Sequence, residues 1–228
     1  MENYFNINLI FQYLPQLLSR LHITLLIVLS ATVIGLFLGI ILALFRVYKV
    51  PLLNQISIVY ISFMRGTPIL VQMFIVFYGL PILLMKIGIN INRWDKLYFV
   101  IITYGLNAAA FKAEMIRAAL ANIPVGQVEA AYSVGMTKLQ AFSRIIAPQS
   151  VIIILPTLGI TLVGLLQDTS LAFTLGIIDV MGKVNAIAAN TYRSLEGYVS
   201  AAIIFFVLSI LLEQIFSRIE KKLHIQKI

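Results

Sequence analysis

The sequence contains no cysteine, which excludes disulfides and thiolate metal sites but leaves the compartment open. Charge is scarce too: 11% of the 228 residues are Asp, Glu, Lys or Arg, whereas 61% are hydrophobic, above the roughly half usual in soluble domains. Histidine occurs twice, at His22 and His224, far apart and without metal-ligand spacing. No GxxxxGK[ST] loop is present, so this chain cannot cradle nucleotide phosphates as a P-loop ATPase does. A serine nucleophile elbow and paired carboxylates are also missing, and no catalysis is expected of this chain alone. No basic segment followed by an apolar stretch and a small-residue cleavage site opens the sequence, so no removable signal peptide is read.

What fills the chain is long apolar runs, and a bilayer crossing needs about 20 such residues. An all-α membrane protein with a single transmembrane domain over 1–228 is expected, with crossings at about 18–46, 56–84, 97–121, 150–167 and 197–217. Residues 3–18 contain Pro15 and read as an interfacial segment, with Tyr4, Phe5 and Tyr13 at the headgroup level. Gly66 and Pro68 should kink the second crossing. The apolar stretch from Leu171 to Gly182 is too short to cross and reads as a re-entrant or half-helix element. Gly35 and Gly39 form a GxxxG that permits close helix packing.

The net charge of +8 does not point to nucleic acid, because the basic residues flank apolar spans. Five crossings put the ends on opposite sides. The tail cluster Arg218, Lys221, Lys222 and Lys227 then marks a cytoplasmic C-terminus, with the N-terminus outside.

One polar stretch interrupts this pattern. In QVEAAYSVGMTKLQAF, residues 127–142, Val128, Ala131, Tyr132 and Gly135 share one helical face. Gly135 suits the left-handed position that ends a helix, and Thr137 with Gln140 has capping-box spacing. Two short helices joined at a glycine elbow are expected on the cytoplasmic surface over 126–143. Glu129 would lie near the positive end of the first, and the small Ala130 and Ala131 would admit a close partner. The pattern alone equally describes an amphipathic connector.

The stretch Glu129-Ala130-Ala131, followed by Gly135, Ile145 and Pro148, resembles the EAA loop of ABC importer permeases, with Ala147 departing from the usual leucine. RGTPILVQMF (65–74), AFKAEMIRAALANIPVGQVEAA (110–131) and QDTSLAF (167–173) resemble, in order, signatures of the polar amino-acid permeases, the histidine, glutamine, arginine and cystine type. Gln167 stands where lysine is usual. The resemblance implies a five-helix core in a bacterial cytoplasmic membrane and a second permease copy. It also implies a partner ATPase that binds ATP and magnesium, and an extracytoplasmic substrate-binding protein. Glu129, Ala130, Ala131 and Gly135 would form the helix that couples to the ATPase. An ion-gradient-driven secondary transporter using Asp168 and Glu114 is the alternative.

Ionisable groups within crossings are functional candidates, since each costs at least about 2.5 kcal/mol at the bilayer centre. Arg65, Lys112, Glu114 and Asp168 qualify, with Gln72 and Asn107 as neutral companions. For a zwitterionic amino acid, Asp168 is a candidate ammonium acceptor. Thr169, Ser170 and backbone amides freed at a helix break beside Gln167 would take the carboxylate. Asp168 equally suits a helix cap. Arg65 either pairs with Glu114 to gate the pathway or reaches the cytoplasmic headgroups.

Overall fold

A computed structural model describes residues 5–225, with side chains to Leu223, and every described element is helical. Tyr4, Lys227 and the side chain of His224 lie outside the described residues. The elements are α1 (Ile7–Leu18), α2 (Leu21–Val47), α3 (Leu53–Gly66), α4 (Ile69–Met85), α5 (Lys96–Ala121), α6 (Val125–Ser133), α7 (Lys138–Ala141), α8 (Ala147–Asp168), α9 (Val180–Thr191) and α10 (Ser194–Ile225). A π-helical turn, Phe142–Ile146, joins α7 to α8, and a 3-10 turn, Thr169–Leu175, continues α8.

Among the described residues, four helical runs are long and apolar enough to cross a membrane: Leu21–Val47, Lys96–Ala121, Lys138–Leu175 and Ser194–Leu223. The expected second crossing, 56–84, is not one helix. It breaks into α3 and α4, which meet at 115°. The chain turns at Thr67 and Pro68, both in extended conformation. Proline cannot donate to the preceding turn and pushes its predecessor out of helical geometry. The pair still progresses along α5. On α3, the Tyr60 hydroxyl donates to the Leu106 carbonyl at 2.7 Å, whereas Phe77 on α4 meets Phe99 edge-on near the other end. Counted as one broken crossing, it brings the total to five.

The central helix is α5, which packs against α2, α3, α4 and α8. Helix α2 reverses soluble amphipathicity: Ala31, Gly35 and Gly39 are buried, whereas Leu29, Val33 and Phe37 are each over 60% exposed. Between transmembrane helices the drive is close packing of small residues, and large apolar side chains are free to face lipid. A Cβ on Gly35 would lie 2.7 Å from the Cβ of Ala108, so the GxxxG does seat α2 on α5.

A second cluster gathers Tyr13 and Leu17 with Val180, Val184, Ile187, Ala201 and Ile204, tying α1 to α9 and α10. Tyr13 is therefore core, not an interfacial anchor, while Phe5 is exposed.

The stretch Leu171–Gly182 is no half-helix of its own. Its first part completes the α8 run, Gly176 turns the chain with a φ of +84°, and its last residues open α9. Asp179 starts α9 by accepting from the Gly182 amide at 2.9 Å, and its other oxygen accepts from the Thr24 hydroxyl at 3.4 Å.

Candidate functional site: a cavity and an exposed elbow

Between α5 and α8 lies a cavity of about 140 Å³. Asn107, Ala108, Phe111 and Lys112 line it from α5, and Thr161, Gly164, Leu165 and Asp168 from α8. Each set recurs at three- and four-residue helical spacing, so each helix presents one face. The depth follows from Tyr104, eight positions into α5 and so roughly 12 Å from its start. Its hydroxyl donates to the Asp168 carbonyl at 2.5 Å. This puts an exposed carboxylate, Asp168, well inside a crossing, where ionisable groups are costly.

The helix does not break at Asp168. Its backbone is right-handed helical, the Thr169 amide bonds to the carbonyls of Gln167 and Leu165, and Asp168 makes no cap. No amides are freed there, so that part of the expected carboxylate site is absent. Thr169 is fully buried, and its hydroxyl donates to the Leu166 carbonyl at 2.6 Å. Gln167 is exposed and Ser170 half-buried, and neither lines the cavity.

Gln72 and Asn107 are brought together, but on each other. The Gln72 amide donates to the Met64 carbonyl, the Thr67 carbonyl and the Thr67 hydroxyl at 2.8–3.0 Å, closing the break between α3 and α4. Asn107 donates to Gln72 Oε1 at 2.9 Å and to the Met64 carbonyl at 3.3 Å. Gln72 thus repairs the bend, and Asn107 both braces it and borders the cavity.

Arg65 does not pair with Glu114. Its guanidinium lies 5.6 Å over the Phe111 ring, at the cavity rim. Glu114 instead accepts from Arg46 on α2 and from Arg117 one turn along α5, the latter also through Nε at 3.0 Å.

The polar stretch forms the expected elbow. Gly135 has a φ of +81°, its amide bonds to the Tyr132 carbonyl, and the Met136 amide reaches back to Ala131. This is a Schellman ending of α6. Thr137 and Gln140 then make the capping box that opens α7. Glu129, Ala130 and Gly135 are exposed, as are Val125, Val134 and Leu139, each at least 69% exposed. Two expectations change. Ala131 is buried, so it packs inward. Glu129 lies past the first turn of α6, beyond strong reach of the helix dipole.

A family model described as "Binding-protein-dependent transport system inner membrane component" matches residues 35–225. The L-cystine transport system permease protein TcyL of Bacillus subtilis (strain 168) is 42% identical over 98% of this chain and 93% of its own length. The chain belongs to the permease subunits of amino-acid ABC importers. PatM of Vibrio harveyi, a probable amino-acid ABC transporter permease protein, is 40% identical over 96% of this permease and 97% of itself. The crystal structure of an amino acid ABC transporter with histidines superposes with a TM-score of 0.84 at 31% identity, covering 96% of this permease and 99% of that chain. The permease is accordingly a multi-pass inner-membrane protein with the five-crossing type I importer fold, and the alternative of an ion-coupled secondary transporter falls.

Sequence reasoning misses the partners of several permease charges. Arg46, at the end of α2, reaches Glu114 across 68 positions. Glu196, in the first turn of α10, is 1% exposed and accepts from the Asn6 amide at 3.0 Å. Lys112 is recognised as an ionisable residue in a crossing, but nothing in its spacing links it to Asp168. That link needs α5 and α8 side by side.

Proposed function

We propose that this permease forms the translocation pathway of an importer for a polar, zwitterionic amino acid, driven by a separate ATPase. The observation that carries the reading is the unbroken helical run Lys138–Leu175. One end begins at the exposed elbow and the other carries Asp168 at the cavity. At 1.5 Å per residue, the stretch from Lys138 to Asp168 spans roughly 45 Å, so a push on the elbow is delivered to the cavity wall along one continuous helical run.

In this reading, Glu129, Ala130 and Gly135 sit in a groove of the ATPase, which binds ATP and magnesium. Ala131 holds α6 to the rest of the permease. A second permease copy completes the pathway, and an extracytoplasmic binding protein delivers the substrate. The elbow and the C-terminus are cytoplasmic, and the N-terminus is outside. Asp168 accepts the substrate ammonium, and Arg65 and Glu114 lie along the inner part of the path. Substrates of the relatives, L-cystine among them, are the first to try.

The test is uptake of labelled L-cystine and L-glutamine into proteoliposomes holding the permease, its ATPase and its binding protein. Uptake should need internal ATP and survive ionophores, and Asp168→Asn should raise the half-saturation without preventing assembly. Uptake that collapses with the ion gradient would refute the reading, and unchanged kinetics in Asp168→Asn would remove Asp168 from the site.

A further inference from the structure

We propose that Lys112 is the carboxylate receptor of the cavity, holding the α-carboxylate of the zwitterion whose ammonium Asp168 accepts. The inference rests on reading the cavity as the amino-acid path.

It comes from the polar groups on the cavity wall. The Thr161 hydroxyl is committed to the Leu158 carbonyl at 3.0 Å, and the Asn107 amide hydrogens go to Gln72 and Met64. The Asn107 Oδ1 acceptor and two ionisable side chains remain, Lys112 and Asp168, and among the described residues neither ionisable side chain makes an ion pair or hydrogen bond. Lys112 is 2% exposed and lines the cavity.

The fold makes room for this cation at a specific place. Gly39 of α2 lies opposite Lys112, where an added Cβ would come within 3.0 Å of the Lys112 Cβ. The root of the lysine is thereby fixed in the α2–α5 seam.

A buried ammonium without a counter-charge is destabilising, and so is a carboxylate deep in a crossing. A zwitterion answers both, one charge to each. Neither a plain cation nor a plain anion does so, and masking the carboxylate removes the half that Lys112 reads. The groups expected from sequence to take the carboxylate, Thr169 and freed amides, are occupied within the α8 run.

The experiment measures binding of labelled L-glutamine and L-cystine to the purified permease–ATPase complex without the binding protein, so that only the membrane cavity selects. Each amino acid is competed against its methyl ester and its N-acetyl derivative. Wild type should prefer the free acid over the ester by about tenfold or more, the scale of a hydrogen bond to a charged group. Lys112→Met should bring the acid-to-ester ratio close to one, and Lys112→Arg should keep it. Asp168→Asn should change the N-acetyl ratio and leave the ester ratio alone.

A wild type that binds acid and ester equally overturns the proposal, whether or not Lys112→Met assembles. An undiminished ester ratio in Lys112→Met also overturns it, while leaving the cavity as the path. A wild type that binds neither amino acid fails both the proposal and the reading beneath it.

Discussion

Asn107 on α5 donates to the side-chain oxygen of Gln72 on α4 at 2.9 Å, and Gln72 in turn donates back to Met64 and Thr67 across the break that precedes it. One pair of neutral amides therefore holds a 115° bend against the central helix. Inside a membrane the carbonyls bared by such a bend need protein donors, since no lipid group supplies them.

Gln72→Leu should therefore destabilise the permease by about 1–3 kcal/mol, the cost of leaving buried acceptors unpaired. Thermal unfolding in detergent measures it. An unchanged midpoint would mean the bend is held by something else.

Gly135 and Gly126 make a controlled pair. Neither has an atom within 4 Å of an added Cβ, but only Gly135 has positive φ. Gly135→Ala should cost about 1–2 kcal/mol through left-handed backbone strain. Gly126→Ala, inside α6, should be neutral or stabilising by up to about 1 kcal/mol. Hydrogen exchange across 125–141 reads both, and equal effects would contradict the account.

At the α2–α5 seam, Gly35→Ala brings its Cβ to 2.7 Å from Ala108 Cβ and 3.1 Å from the Ala108 carbonyl carbon. Backbone cannot yield as a side-chain tip does, so a loss of about 1–3 kcal/mol is expected. Gly79→Ala, with nothing nearby, should be tolerated. Expression level and unfolding temperature of the two variants decide the matter.

Glu114 serves two arginines, so Glu114→Ala leaves Arg46 and Arg117 facing each other. A cost of about 1.5–3 kcal/mol follows from the lost charged hydrogen bonds. Arg65→Gln removes only an exposed ring contact, worth about 0.5–1 kcal/mol. The order of the two unfolding midpoints checks this, and a larger loss in Arg65→Gln would reverse the assignment.

The unbroken crossings and the elbow are legible in the sequence, because apolar length, a left-handed glycine and a capping box are local signals. The bend at Thr67–Pro68 shows as a kink, but its size depends on Gln72 and Asn107 reaching across 35 positions. At 167–170, four polar residues imitate a helix end. The structure keeps them helical because Thr169 returns its hydroxyl to Leu166, which removes the need for an outside partner. Tyr13 is misplaced for a different reason: an aromatic near a terminus suits an interface or a core equally until α9 and α10 are known to cover it. That Lys112 and Asp168 line one cavity is a property of adjacent helices, invisible to any single periodicity.

The most direct test of the account is whether the elbow holds the ATPase. The permease would be purified in detergent with the ATPase subunits of the same organism, as wild type and as Glu129→Arg. Retention of an ATPase by wild type and its loss by Glu129→Arg, with both chains folded, is the predicted result. A folded wild type that retains none, or a variant that retains as much as wild type, would contradict it.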